Sequence, residues 1–258
     1  MEKLIGLDIG GTKCAVVAGQ VNGMGNITIL SRKSFPTETS KGVDNTLENF
    51  YSAIDGTLTE LGWTPAGVDA IGISCGGPLS SATGVVMSPP NLPGWDNIPI
   101  VKLVSERTGV PAALQNDANA CALAEYKFGA GRGSRNMAFL TFGTGLGAGL
   151  IIDGKLYSGT NDNAGELGHI RLAEFGPVGY GKKGSFEGFA SGGGIAQIAV
   201  YDIRILNPSE NLIRCGPDLE KNSSASLHSR PYGFLHGSCL GTVCAQERQV
   251  PVILIGNQ

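Results

Sequence analysis

At 258 residues the chain is long enough for one large domain or two small ones, and it can bury a core without disulfide or metal staples. Its 19 basic and 22 acidic residues leave a net charge of −3, so no basic surplus exists to displace counterions from nucleic acid, and 41% hydrophobic residues exclude a disordered tail. The 40 glycines, roughly twice the ordinary share, gather at the ends of apolar runs, where a backbone turns tightly or approaches a ligand closely.

Met1 to Gly11 lacks the apolar segment and small-residue cleavage site of a secretory signal, and no stretch of about 18 uncharged apolar residues occurs. A cytoplasmic protein with no membrane span and six reduced cysteines (Cys14, Cys75, Cys121, Cys215, Cys239, Cys244) is expected. Leu4 to Ile9 predicts a buried strand ended by Gly10-Gly11. Thr12 to Ala18 resumes the apolar run and leads through a polar stretch to Ile27–Leu30, a β-meander with glycine turns. From Val43 to Leu61 the apolar residues fall three and four apart, at Leu47, Phe50, Tyr51, Ile54, Leu58 and Leu61, the spacing of an amphipathic helix. Val68–Ser74 predicts a strand running into Cys75-Gly76-Gly77-Pro78 and a loop rich in Pro, Gly and Ser that reaches Trp95. A short helix over Ile100–Arg107 and a strand over Val110–Leu114 precede Asn116-Asp117 and a helical segment from Ala118 to Gly129. Strands over Asn136–Phe142 and Ala148–Ile152 flank Gly143-Thr144-Gly145-Leu146-Gly147, and a helix begins at Gly192 and reaches Leu206. Between Asn207 and Gln249 no apolar period persists, and only Val250–Ile255 predicts a further strand.

Four groups of residues carry chemistry. In Asp8-Ile9-Gly10-Gly11-Thr12-Lys13 a strand ending in Asp meets a glycine hairpin, which offers backbone N–H groups and a hydroxyl to phosphate oxygens and a carboxylate to Mg²⁺ through water. The string from Gly143 to Ala148 matches the relaxed dinucleotide fingerprint, but that fingerprint must open a helix and here it opens a strand. A second phosphate-gripping hairpin fits better, with Thr144 and the backbone of Gly143 and Gly145 as donors. Asn116-Asp117 puts a carboxylate at a strand-to-helix junction, where it is either an ordinary helix cap or a general base for a hydroxyl. Glu166-Leu167-Gly168-His169 with Glu187 supplies two carboxylates and an imidazole in a charge-poor, glycine-rich stretch, able to bind several sugar hydroxyls or to serve as plain surface polarity.

These groups, in this order, resemble the ROK family of sugar kinases and repressors from about residue 3 to residue 200. The resemblance implies a two-lobed α/β architecture of the actin-like ATPase (ribonuclease H-like) class, mixed sheets flanked by helices, with lobes 1–115 and 116–258 and the substrates between them. It implies ATP-dependent phosphorylation of a hexose at the 6-hydroxyl, with Asp117 as the base. Gly77, Asn91, Asn116, Glu166, His169 and Glu187 would bind the sugar, and Asp8, Gly10, Gly11, Thr12, Lys13, Gly143, Thr144 and Gly145 the nucleotide, Asp8 orienting Mg²⁺ through water. Glucose is the expected acceptor, with mannose, allose, fructose and N-acetylated hexosamines as alternatives; a homodimer is also implied, and neither nucleic acid nor membrane is an expected partner. Two other readings share the motifs. One is a non-catalytic sugar-binding protein or inactive kinase fragment. The other is a sugar-responsive repressor, for which the first motif at residue 8 leaves no preceding helix-turn-helix.

The sequence departs from the family pattern twice. Many members bind zinc through the clamp His and a C-x-C-G-x-x-G-C-x-E segment; here Val178, Tyr180 and Ser185 stand where the thiols would be, so no zinc is expected. A late His236-x-x-Cys239-x4-Cys244 spacing is a weak metal candidate. The segment after about 207 also lacks the family's further helices, which puts adenosine contacts in question.

Overall fold

The computed structural model describes residues 1–143 and 145–206, with side chains described as far as residue 200. Thr144, the His236/Cys239/Cys244 spacing and the strand expected over Val250–Ile255 lie outside the described residues. The described chain forms two compact units, one of residues 1–139 and 149–164, the other of residues 140–148 and 165 onward.

The first unit is built on a five-stranded mixed sheet. Strands β1 (Glu2–Ile9), β2 (Lys13–Val21) and β3 (Ile27–Pro36) form the antiparallel meander, while β4 (Ala70–Cys75) and β7 (Ala112–Asn116) run parallel to β1, giving the order β3-β2-β1-β4-β7. Strand alternation puts Ile5, Leu7 and Ile9 of β1 in the core and leaves Gly6 and Asp8 on the opposite face. Helix α1 (Gly42–Leu61) buries Leu47, Phe50, Ile54 and Leu58 from one stripe, and the Phe50 ring meets Phe35 of β3 edge-on at 5.0 Å. It stops at Gly62, whose left-handed φ of 62° lets its N–H turn back onto the Leu58 and Thr59 carbonyls. Short strands β5 (Leu79–Ser80) and β6 (Val85–Val86) pair with each other, and α2 (Ile100–Thr108) adds Ile100 and Val104 to the same core.

Helix α3 (Asp117–Phe128) leaves β7 with no intervening loop. A Cβ at Gly149 would stand 2.6 Å from both the Ala118 oxygen and the Ala122 Cβ, so only glycine lets this part of strand β9 (Leu146–Ile152) lie against α3. Strand β9 is the middle of a sheet ordered β10-β9-β8, where β8 is Met137–Phe142 and β10 Lys155–Leu156.

The second unit contains a 3₁₀ turn (Leu167–His169), the paired strands β11 (Val178–Gly179) and β12 (Lys182–Lys183), a five-residue helix α4 (Phe186–Ala190) and helix α5 (Gly192–Leu206). Ser185, fully buried, caps α4 by accepting from the Gly188 N–H at 3.0 Å and donates to the Gly179 carbonyl at 3.2 Å. Gln197 of α5 holds β11 through both its amide groups, to the Val178 N–H and C=O. Among the described residues no helix is long and apolar enough to cross a membrane.

Candidate active site

In the first unit the carboxyl ends of the parallel strands converge, and these ends are where open α/β sheets place their ligands. Register sets Asp8 of β1 beside Ser74 of β4, and Cys75 of β4 beside Asn116 of β7. Asp117, the first residue of α3, follows directly. Asn116 caps that helix, its Oδ1 accepting from the N–H groups of Ala118 at 3.0 Å and Asn119 at 3.4 Å; Asp117 Oδ1 accepts from the Ala118 N–H at 2.8 Å. Asn116 is thus the cap of α3, and the exposed Asp117 is the first residue of that helix.

Asp8 and Asp117 both open onto solvent at one side and have protein packed around most of the remainder. Burial raises Asp117 above the ordinary carboxylate value, against hydrogen bonds from Ala118 and its own backbone that pull it down. Burial also raises Asp8, and the negative charge of Asp117 raises it further, with Arg32 opposing. The thiols nearby respond in the same sense: Cys75 is pushed up to about 12 and Cys121 to about 11, in each case by burial first and by Asp117 next. The end of the sheet is thus a focus of negative potential, suited to a hard divalent cation. Among the described residues no group of three or more His, Cys, Asp or Glu side chains could hold a metal alone. A lone carboxylate such as Asp8 fits only a cation held mainly by other ligands, such as phosphate and water.

The first glycine turn is closed by the Gly10 N–H donating to the Lys13 carbonyl at 3.2 Å. Beneath it the buried Thr37 hydroxyl donates to the Gly10 carbonyl, and the Thr46 hydroxyl donates to the Thr37 carbonyl. The Gly10 amide is thus used within the turn; among the described residues the N–H groups of Gly11 and Thr12 have no protein acceptor. Thr12 and Lys13 are exposed there. Gly11 has a second duty that its sequence context does not reveal: a Cβ there would lie 2.5 Å from the Asn91 carbonyl oxygen. The loop carrying Asn91 is anchored by Leu92 and Trp95, both buried in the core, so Asn91 is held against Gly11 and Gly76, while the Asn116 amide stands against Gly77. Gly11, Gly77, Asn91, Asn116, Asp117 and Asp8 are accordingly gathered at one end of one sheet.

In the second unit the turn after β8 is held by its own bonds. The Gly143 N–H donates to the Gly145 carbonyl at 3.0 Å, and the Gly192 N–H at the start of α5 donates to the Gly143 carbonyl at 2.9 Å. Gly143, like Gly10, therefore uses its amide within the turn. A Cβ at Gly143 would meet nothing within 4 Å, so this side of the turn is open. Glu166 and His169 lie in one short segment, His169 Nε2 being 3.4 Å from Glu166 Oε2. Lys182 Nζ stands 3.3 Å from His169 Nδ1, and the Tyr180 ring packs on the imidazole at 4.4 Å between centroids. An ammonium can only donate, so in a hydrogen bond between these two atoms Nδ1 is the acceptor. Lys182 and Tyr180 were not among the expected site residues, since a loop lysine and tyrosine carry no local pattern. Glu187 is buried, and its Oε2 accepts from the Leu146 N–H at 3.0 Å.

The ROK family model matches residues 4–223. The chain belongs to the ROK family. A glucokinase from Streptomyces coelicolor is 40% identical over 200 residues, 77% of this chain and 59% of the relative; an N-acetylmannosamine kinase from Salmonella arizonae is 33% identical over 213 residues, 82% of this chain and 69% of the relative. Among solved structures, a ROK hexokinase from Thermus thermophilus superposes with a TM-score of 0.67 at 35% identity, covering 78% of this chain and 64% of that one. A ROK glucokinase from Streptomyces griseus in complex with glucose and AMPPNP gives a TM-score of 0.63 at 35% identity, covering 80% and 62%. The mixed sheet and flanking helices are those of the actin-like ATPase fold that these ROK sugar kinases share. This ROK chain spans about 60% of the length of the glucokinases it matches.

Proposed function

We propose that this ROK protein transfers the terminal phosphoryl group of ATP to the 6-hydroxyl of a hexose, with glucose as the preferred acceptor and Asp117 as the general base. The observation that carries the reading is the Asp117 carboxylate, raised by burial, at the carboxyl end of the parallel strands and near enough to Asp8 for its charge to raise that group as well. A base whose proton affinity is raised toward the working pH accepts a hydroxyl proton more readily, and it remains ionised at neutrality only if its value stays below that pH. Phosphoryl transfer needs mostly positioning and charge neutralisation, and little covalent help from the protein.

In this reading Asn116 fixes the direction of the base through its cap, and Asn91 and Gly77 border the sugar beside it. Gly11, Thr12 and Lys13 receive phosphate oxygens from one glycine turn, Thr144 and Gly145 from the other. Glu166 and His169 take ring hydroxyls. Bound Mg²⁺ would supply a positive charge against the phosphate oxygens. The relatives' acceptors include glucose and N-acetylmannosamine, and 40% against 33% identity supports glucose.

A coupled ADP-release assay tests this with glucose, mannose, allose, fructose, N-acetylglucosamine and N-acetylmannosamine, each with Mg²⁺ and with EDTA. Glucose-dependent ADP release that EDTA abolishes is the expected result. Release with N-acetylmannosamine exceeding that with glucose would overturn the choice of acceptor, and no release with any sugar would overturn the kinase reading.

A further inference from the structure

Glu187 is 7% exposed, and among the described residues it has no ion-pair partner. A Cβ at Gly145 would lie 2.8 Å from Glu187 Oε2, one at Gly168 would lie 3.3 Å from Glu187 Cβ, and one at Gly179 would lie 2.8 Å from the same Cβ. Three glycines from three separate segments thus make room for this one side chain. Its single described hydrogen bond goes to the Leu146 N–H, the residue that follows the Gly143–Gly145 turn. The helix that carries it is fixed from behind, by the Ser185 cap and by packing on the Leu167–His169 turn, β11 and α5. A buried carboxylate gives up its hydration, and a charge-assisted bond to a backbone amide is the compensation seen here.

We propose that Glu187 is the positioning residue of the second glycine turn: Oε2 latches Leu146 and so sets the backbone that receives nucleotide phosphates. Oε1, to which no described residue donates, is left for the sugar side. One side chain then links the segment bearing Glu166 and His169 to the phosphate turn. The inference rests on the kinase reading for its two ligands, whereas the latch itself is a matter of hydrogen bonding alone. It also assigns the glycine at position 145 a cause within the protein, since any side chain there would displace the carboxylate.

The test compares wild type with Glu187→Gln, Glu187→Ala and Gly179→Ala in the full chain. Gln keeps an acceptor oxygen for Leu146. Gly179→Ala crowds the Gly188 backbone nitrogen, the Ser185 hydroxyl and the Glu187 Cβ, and so displaces the start of α4 that carries the carboxylate. Amide hydrogen exchange without ligand, followed on peptides covering residues 140–150, should be slow in wild type and Glu187→Gln and at least ten-fold faster in the two alanine variants. Peptides from β1 and α1 should be unchanged, which separates a loosened turn from general unfolding. AMPPNP binding by calorimetry in the absence of sugar should weaken about ten-fold or more in the alanine variants and stay within about three-fold in Glu187→Gln. A residue that served the sugar alone would alter neither readout, and that result overturns the proposal. Faster exchange with undiminished AMPPNP binding overturns it as well. If wild type itself binds no AMPPNP the kinase reading falls, and the exchange of residues 140–150 still decides the latch.

Discussion

Replacing Asp117 by Asn removes one negative charge and nearly preserves shape. The amide oxygen can still accept from the Ala118 N–H, a bond of 2.8 Å in the wild-type chain, and Asn116 continues to cap α3. In the proposed mechanism turnover loses its proton acceptor. General-base help is worth roughly 10²–10⁴ in rate, so the barrier should rise by about 3–5 kcal/mol with little change in sugar affinity. Stability should move the other way. Burial raises the folded-state value of Asp117 above the ordinary 3.8, so between that value and the raised one the native chain binds more protons than the unfolded chain. Stability therefore falls as pH rises through this window, and the penalty is complete once the pH is above the raised value. An Asn at 117 carries no such penalty. Asp117→Asn should melt higher than wild type at pH 7, and the difference should close as pH is lowered below the ordinary carboxylate range. The charge of Asp117 also contributes to raising Asp8, so Asp8 should titrate lower in the variant. Scanning calorimetry from pH 3 to 8 beside the coupled assay reads all of this. Turnover within ten-fold of wild type, or a lower melting temperature at pH 7, would refute the reasoning.

The acid limb of kcat/KM should be centred above 3.8, activity falling as pH drops through the raised Asp117 value; a limb at or below 3.8 would assign the base elsewhere. Asn116→Ala removes the α3 cap and should cost about 1 kcal/mol. That lowers the melting temperature by roughly 2–4 °C in a domain of this size, and Asn116→Asp should restore it. Trp95→Ala, at a residue 1% exposed, should cost about 3–5 kcal/mol and raise the sugar KM by freeing the Asn91 loop, measured by urea denaturation and steady-state kinetics. EDTA should leave the melting temperature unchanged, since Ser185 already caps α4 by hydrogen bonding; a fall would reveal a structural metal.

The elements governed by near neighbours were legible in order and type. The three-and-four spacing from Leu47 to Leu58 can bury one face only as a helix, and the observed α1 does so. The apolar runs of β1 and β2 around Gly10-Gly11 make a hairpin, and Asn116 caps a helix wherever α3 begins. Strands β5, β6, β11 and β12, of two residues each, and the five-residue α4 are too short for any period to build up, so they went unread. What the tertiary structure alone decided is the meaning of the glycines and carboxylates. Gly11 is small because the Asn91 loop presses on it, and Gly145 because Glu187 does; Gly10 and Gly143 turn their amides inward to close their own turns. Thr37 anchors the first turn, and Asp117 raises Asp8, across more than a hundred residues of chain in the latter case. Periodicity is a property of a few successive residues, whereas steric room and electrostatic potential at a point depend on every segment that the fold brings there.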